Sequence, residues 1–217
     1  MQDGQHTNMI FENRIHAGIL LAEELKKKNF EDLVVVAIPR GGIPVAAEIS
    51  QRLNIPLSIV LAKKIGHPSN PEYAIGSVSM HEVVIDTDQN VSKEYLTNKV
   101  KEIKETLKVR MSKYEKYYSQ INLKNKVVIL VDDGIATGNT MLACISIIKK
   151  QHLKKIVIAI PVAPSQAISK LKSKVDSIMC LFIAKDFIGI GAFYKDFHQI
   201  DDSEVINTLE NINLKFR

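Results

Sequence analysis

The chain has 217 residues, 46% of them apolar and 24% charged, which is the balance of one folded domain and excludes a disordered or fibrous chain. Its formal charge of +5 comes largely from lysines spread over helical stretches (residues 26–28, 99–116 and 149–155), and with aromatic residues at 6% there is no stacking platform; nucleic acid is therefore not an expected partner, whereas a polyanionic small substrate is. No run approaches the roughly 20 apolar residues of a bilayer span, residues 1–6 form neither a basic nor an apolar signal segment, and Cys144 and Cys180 lack metal-binding spacing, so a cytoplasmic protein with two buried, reduced thiols is expected.

Residues 13–28 repeat apolar side chains at helical spacing (Ile15, Ile19, Leu20, Leu25). Residues 33–38 form a short apolar run closed by Pro39-Arg40-Gly41-Gly42, which predicts a buried strand and a turn into a helix over 43–53. A second strand is expected over 57–62, then a polar connection over 63–72 whose Gly66, Pro68 and Pro71 suit a mobile loop. Residues 74–79 and 82–86 read as an antiparallel pair, and 92–118 as a long charged helix. Strand 127–131, helix 139–151, strand 155–161, helix 165–172 and strand 177–184 follow in alternation. Residues 187–197 are aromatic and glycine-rich, and 203–214 close as a helix. Strands alternating with helices predict a single α/β domain over 1–217 with a doubly wound, mainly parallel sheet.

The most informative run is Val127 to Met141: five apolar residues, Asp132-Asp133, then Gly134-Ile135-Ala136-Thr137-Gly138-Asn139-Thr140 leading into a helix. A strand buried on both faces delivers its following polar cluster to the carboxyl edge of the sheet, where open α/β sheets bind ligands. Adjacent carboxylates repel, by on the order of 3 kcal/mol at roughly 6 Å and an effective dielectric of about 20. A turn needs only one aspartate, so the second points to a ligand with paired hydroxyls, and the small-residue loop beyond points to a phosphate. A nucleotide P-loop is a poor fit, because three residues, not four, separate Gly134 from Gly138 and Asn139 stands where the lysine belongs.

Residues 132–140 with the preceding strand resemble the phosphoribosyl-pyrophosphate (PRPP) signature of the type I phosphoribosyltransferases. The resemblance implies that Asp132 and Asp133 hold the ribose hydroxyls, Asp133 also lying near the developing positive charge. It implies that Ala136, Thr137, Gly138, Asn139 and Thr140 wrap the 5′-phosphate, with Gly134 also among the PRPP-binding residues. It places a diphosphate loop at Arg40-Gly41-Gly42, a flexible catalytic loop over about 63–76 in which Lys63 reaches the diphosphate, and a small C-terminal hood over about 185–200 where Lys185 and Phe187 meet the base. Arg40, Lys63 and Asp133 are then the catalytic candidates. This chain has Glu72-Tyr73 where many members carry Ser-Tyr or a basic residue, and Asp186 interrupts the Lys-Phe of 6-oxopurine enzymes. From about residue 13 to 205 the chain is similar to a stand-alone group of bacterial and archaeal phosphoribosyltransferases with no established acceptor.

The implied activity is transfer of the 5-phosphoribosyl group from PRPP to a nitrogenous base, a purine slightly favoured, with diphosphate release. Mg²⁺ is the implied cofactor, held chiefly by PRPP oxygens beside Asp132 and Asp133 rather than by a dedicated ligand cluster. The implied partners are PRPP, a small-molecule acceptor and a second copy in a homodimer, with no membrane. The alternative is a sensor of PRPP or a nucleotide on the same fold, without turnover.

Overall fold

The computed structural model describes residues 11–85, 91–118 and 120–215. Helix α1 (Arg14–Lys26) starts at Asn13, whose side chain accepts from the His16 N–H, and leads to β1 (Leu33–Ala37). Helix α2 (Gly42–Leu53), β2 (Leu57–Ile59), β3 (Lys63–His67), β4 (Asn70–Val78) and β5 (Val83–Ile85) precede the long α3 (Lys93–Tyr114), capped by Ser92. The second half alternates β6 (Val127–Val131), α4 (Asn139–Ile148), β7 (Lys155–Pro164), α5 (Ser165–Lys172) and β8 (Ser177–Ala184), and α6 (Asp202–Asn213) follows the hood.

Five strands form one wholly parallel sheet in the order β2-β1-β6-β7-β8. All of β6 is buried, as is β1 after Leu33, because both faces are covered. Val34, Val36, Val128 and Leu130 pack with Met141, Cys144 and Ile145 of α4 and Leu171 of α5. Their neighbours Val35, Ala37, Ile129 and Val131 point the other way, onto Leu21 and Leu25 of α1 and Ile43 and Ile49 of α2. The period-2 alternation of the strands thus feeds two separate apolar layers, which is the doubly wound arrangement expected.

Three expectations need correction. The polar connection over 63–72 is not irregular: β3 and β4 form an antiparallel hairpin, with Lys63 opposite Val78 and Ile65 opposite Gly76, and β5 completes a second, three-stranded sheet. Ile65 and Ile75 are fully buried, in the same apolar cluster as Ile103 and Leu107 of α3, so a period-2 apolar face was present but masked by Gly66, Pro68 and Pro71. At Gly66 a Cβ would lie 2.5 Å from the Pro71 carbonyl oxygen, so the glycine permits the close crossing of the two strands. The pair expected over 74–79 and 82–86 is present as β4 and β5, Asp86 lying outside the described residues. Second, Cys144 is buried but Cys180 is only half-buried, because β8 is the sheet's edge; both are free thiols.

Third, β7 outruns the strand expected over 155–161. Its pairing with β6 ends at Val131 opposite Ala159, whereas its pairing with β8 continues to Pro164 opposite Ala184. The excess is a two-stranded ribbon projecting past the carboxyl edge of the sheet. The hood sits on it: Val162 and Ala184 form a third apolar cluster with Phe11, Phe193 and Tyr194, joined by Phe187 and Phe197. Among the described residues no helix is long and apolar enough to cross a membrane.

Candidate functional site

From β1 the chain passes through α2 to β2 on one side, and from β6 through α4 to β7 on the other. The crevice between the carboxyl ends of β1 and β6 is therefore the topological switch point of the sheet, the usual ligand position in such folds. The Ile38 N–H donates to the Val131 carbonyl at 2.9 Å, so the turns leaving the two strands start side by side. The Pro39–Arg40 peptide is cis.

Glycine is required where these turns touch. A Cβ on Gly41 would lie 2.0 Å from Oδ2 of Asp133, and one on Gly42 2.8 Å from the Val131 carbonyl oxygen and 3.0 Å from the Asp132 Cα. The structure thus brings Arg40-Gly41-Gly42 against Asp132-Asp133. Gly41→Ala should lower stability by about 1–3 kcal/mol through overpacking, measured by urea denaturation; an unchanged midpoint and slope would mean the turns stand further apart than this geometry has them.

The Asp133 carboxylate is buried and accepts from Nε of Arg14 at 2.8 Å, with side-chain exposures of 8% for Arg14 and 12% for Asp133. Arg14 is held twice more: its Nη1 donates to the His198 carbonyl at 2.9 Å, and its guanidinium lies 3.8 Å from the centre of the Phe197 ring. The Tyr194 hydroxyl donates to the Asp133 carbonyl at 2.6 Å. Asp132 is half-buried, yet its carboxyl is enclosed closely enough to be held well above the usual carboxylate range, by burial first and by the Asp133 carboxylate second. The Asp133 N–H, donating to Asp132 Oδ1 at 2.9 Å, works against that rise.

Two cavities flank the carboxylates. The first, about 180 Å³, is lined by residues 132–141 and Ile190 and contains the whole of the expected phosphate loop. Gly138, at φ +77°, turns the chain into α4 in the left-handed region that favours glycine. The second, about 450 Å³, is strongly basic, with Arg14, Arg40 and Arg110 around Gly41, Asp133 and Phe197. Arg40 Nη1 lies 3.7 Å from Oδ1 of Asp202, which also accepts from the Lys113 ammonium and the Tyr114 hydroxyl. Those two donors hold the Asp202 carboxyl below its ordinary range. Beside the basic cavity, His198 stands between Asp196 (3.0 Å) and Glu204 (3.2 Å), and these carboxylates raise its pKa.

Three expected site residues lie elsewhere. Lys63 opens β3, exposed and near Glu102 of α3, and lines neither cavity. Phe187 stacks on Phe193 with ring centres 5.9 Å apart and planes at 18°, inside the hood's own aromatic cluster. Lys185 is exposed and also lines neither cavity. Conversely, Arg14 and Arg110 reach the site from helices with no motif, and Tyr194 reaches it from the segment expected as the hood. Arg14 did carry a signal: it falls on the buried stripe of α1 with Gly18, Leu21 and Leu25, and an arginine on an apolar stripe needs a partner.

Comparison with known proteins agrees with this architecture. Residues 6–195 match the family described as phosphoribosyl transferase domain. The chain is 30% identical over 212 residues to a "Putative phosphoribosyl transferase" of Mycobacterium tuberculosis, covering 95% of this chain and 48% of that protein; it spans about half the length of the curated relatives it first matches. It is 28% identical over 159 residues to a hypoxanthine/guanine phosphoribosyltransferase of Ferroglobus placidus, covering 72% of this chain and 67% of that protein. The crystal structure of TT1426 from Thermus thermophilus superposes with a TM-score of 0.90 at 36% identity, covering 94% of this chain and 99% of that one.

Proposed function

Because the chain belongs to the phosphoribosyl transferase family, we propose that it transfers the 5-phosphoribosyl group of PRPP to a nitrogen acceptor and releases diphosphate. The observation that carries this reading is the direct packing of the Arg40-Gly41-Gly42 turn on Asp132-Asp133, with a small-residue loop on one side and a basic cavity on the other. PRPP has the matching order of parts: a 5′-phosphate, a ribose with two free hydroxyls, and a diphosphate at C1.

In this reading Asp132 and Asp133 accept hydrogen bonds from the ribose hydroxyls and fix C1 over the gap between the two turns. Arg40, with its guanidinium only loosely engaged by Asp202, and Arg110, which has no ion pair among the described residues, take the diphosphate oxygens. The bond from C1 to the diphosphate oxygen breaks with its electron pair leaving on oxygen, and the acceptor nitrogen supplies the pair for the new bond and loses its proton. Charge moves onto the diphosphate as it leaves, so fixed arginines beside it favour the transition state over the ground state. Among the described residues no cluster of His, Cys, Asp or Glu suits a dedicated metal site. In this reading a Mg²⁺ ion would be held chiefly by PRPP oxygens next to Asp132 and Asp133, where it would neutralise diphosphate charge. A purine is favoured as acceptor by the hypoxanthine/guanine relative.

The test is diphosphate release from PRPP and Mg²⁺ against a panel of purines, pyrimidines and small amines. Release dependent on one acceptor is the expected result. Absence of PRPP binding would overturn the reading, and binding without release across the panel would favour the sensor.

A further inference from the structure

The expected phosphate loop contains no cation: Ala136-Thr137-Gly138-Asn139-Thr140 is neutral throughout, and Asn139 stands where a nucleotide-binding P-loop has its lysine. The fold brings one in from another element. Lys170 of α5 donates from Nζ to Oδ1 of Asn139 at 2.6 Å and to the Thr137 carbonyl at 3.3 Å. Its position is set by packing, since the next residue, Leu171, is fully buried and its side chain lies 3.7 Å from where a Cβ on Gly138 would be.

Lys170 is exposed and stands outside the loop, not among the residues lining the cavity, and its ammonium is in no ion pair among the described residues. Both oxygens that hold the ammonium are neutral, and no carboxylate among the described residues lies within ion-pair distance of it. The charge also sits at the amino end of α4, where the helix dipole is positive and a cation is disfavoured. An ammonium has three donors, and two are used here. In the free protein water takes the third donor; a dianionic phosphate in the adjoining cavity would replace that water and meet the field of the helix end at the same time.

We infer that Lys170 is a binding residue for the 5′-phosphate of a ribose phosphate, supplying from α5 the cation that the signature loop lacks. The inference rests on the proposed donor, and it makes the site selective for 5′-phosphorylated ribose through one charge outside the motif. Lys170→Arg keeps the charge and Lys170→Met removes it with little change of volume.

The probes are ribose 5-phosphate, inorganic diphosphate and PRPP with Mg²⁺, titrated calorimetrically into the whole protein. Lys170→Met should weaken ribose 5-phosphate and PRPP by the same factor, about tenfold or more for a charge-assisted hydrogen bond, and leave diphosphate binding unchanged. Lys170→Arg should retain most of the affinity. A lysine that only braced the loop would not respond to ligand charge. The gain in ribose 5-phosphate affinity as its phosphate loses its second proton, near pH 6, should therefore shrink in Lys170→Met. Ribose 5-phosphate binding within twofold of wild type in Lys170→Met, or an undiminished pH dependence, would overturn the inference. A wild-type protein that binds neither ribose 5-phosphate nor PRPP would instead overturn the donor assignment itself.

Discussion

Arg14→Met should lower the free energy of unfolding by about 3–5 kcal/mol, the cost of stranding one charge of a buried pair. The Asp133 carboxylate has its Arg14 partner at 2.8 Å, in surroundings that leave 12% of its side chain exposed. Methionine would preserve much of the buried volume but none of the hydrogen bonds, to Asp133 or to the His198 carbonyl. Chemical denaturation reads the effect, and a loss below about 1 kcal/mol would show that the pair contributes little. A double-mutant cycle with Asp133→Asn separates the pair from the packing of the arginine on Phe197. Removing both partners should cost less than the sum of the single changes, with a coupling of about 1 kcal/mol or more.

Asp132→Asn should act in the opposite direction on stability while removing function. Burial and the neighbouring carboxylate disfavour the Asp132 charge in the folded protein, so its pKa is raised on folding. A raised carboxyl destabilises the fold above its folded pKa, and the penalty fades as pH falls through that value to the ordinary carboxylate range. The amide has no such penalty. Asp132→Asn should therefore melt higher than wild type at neutral pH, with the difference closing below about pH 4, the unfolded carboxyl value. Its affinity for PRPP should fall by on the order of 10- to 100-fold, because a hydrogen bond to a charged acceptor contributes roughly 1.5–3 kcal/mol. Calorimetry and thermal melts on one preparation test both halves. Higher stability with unimpaired PRPP binding would remove Asp132 from the ribose site.

What was legible in the sequence was what is local in it. Val127 to Thr140 carries strand, carboxylates and anion loop in one continuous run, and Pro39 to Gly42 likewise joins its strand to its helix, so their meeting at one sheet edge follows from the alternation of elements. The hairpin of β3 and β4 was obscured because the residues that make its tight crossing, Gly66 and Pro71, are the same ones that ordinarily mark a loop. Position along the chain suggests site roles for Lys63 and Phe187, whereas their surroundings are set by the α3 surface and by the Phe193 ring. Arg110 and Lys170 look like any solvated helix cation; only the three-dimensional neighbours of each, a basic cavity and a neutral loop, distinguish them.

The pair of Arg14 and Asp133 spans 119 residues, and that distance has a consequence for the order in which the chain acquires its structure. As the protein is synthesised, the first helix emerges bearing an arginine on its apolar stripe, and β1 emerges with β2 as its sole early neighbour in the main sheet. Neither can be completed until β6 and the two aspartates leave the ribosome. The first helix can pack on α2, from its own half of the chain, before that point, but its buried arginine gains its carboxylate only with the second half.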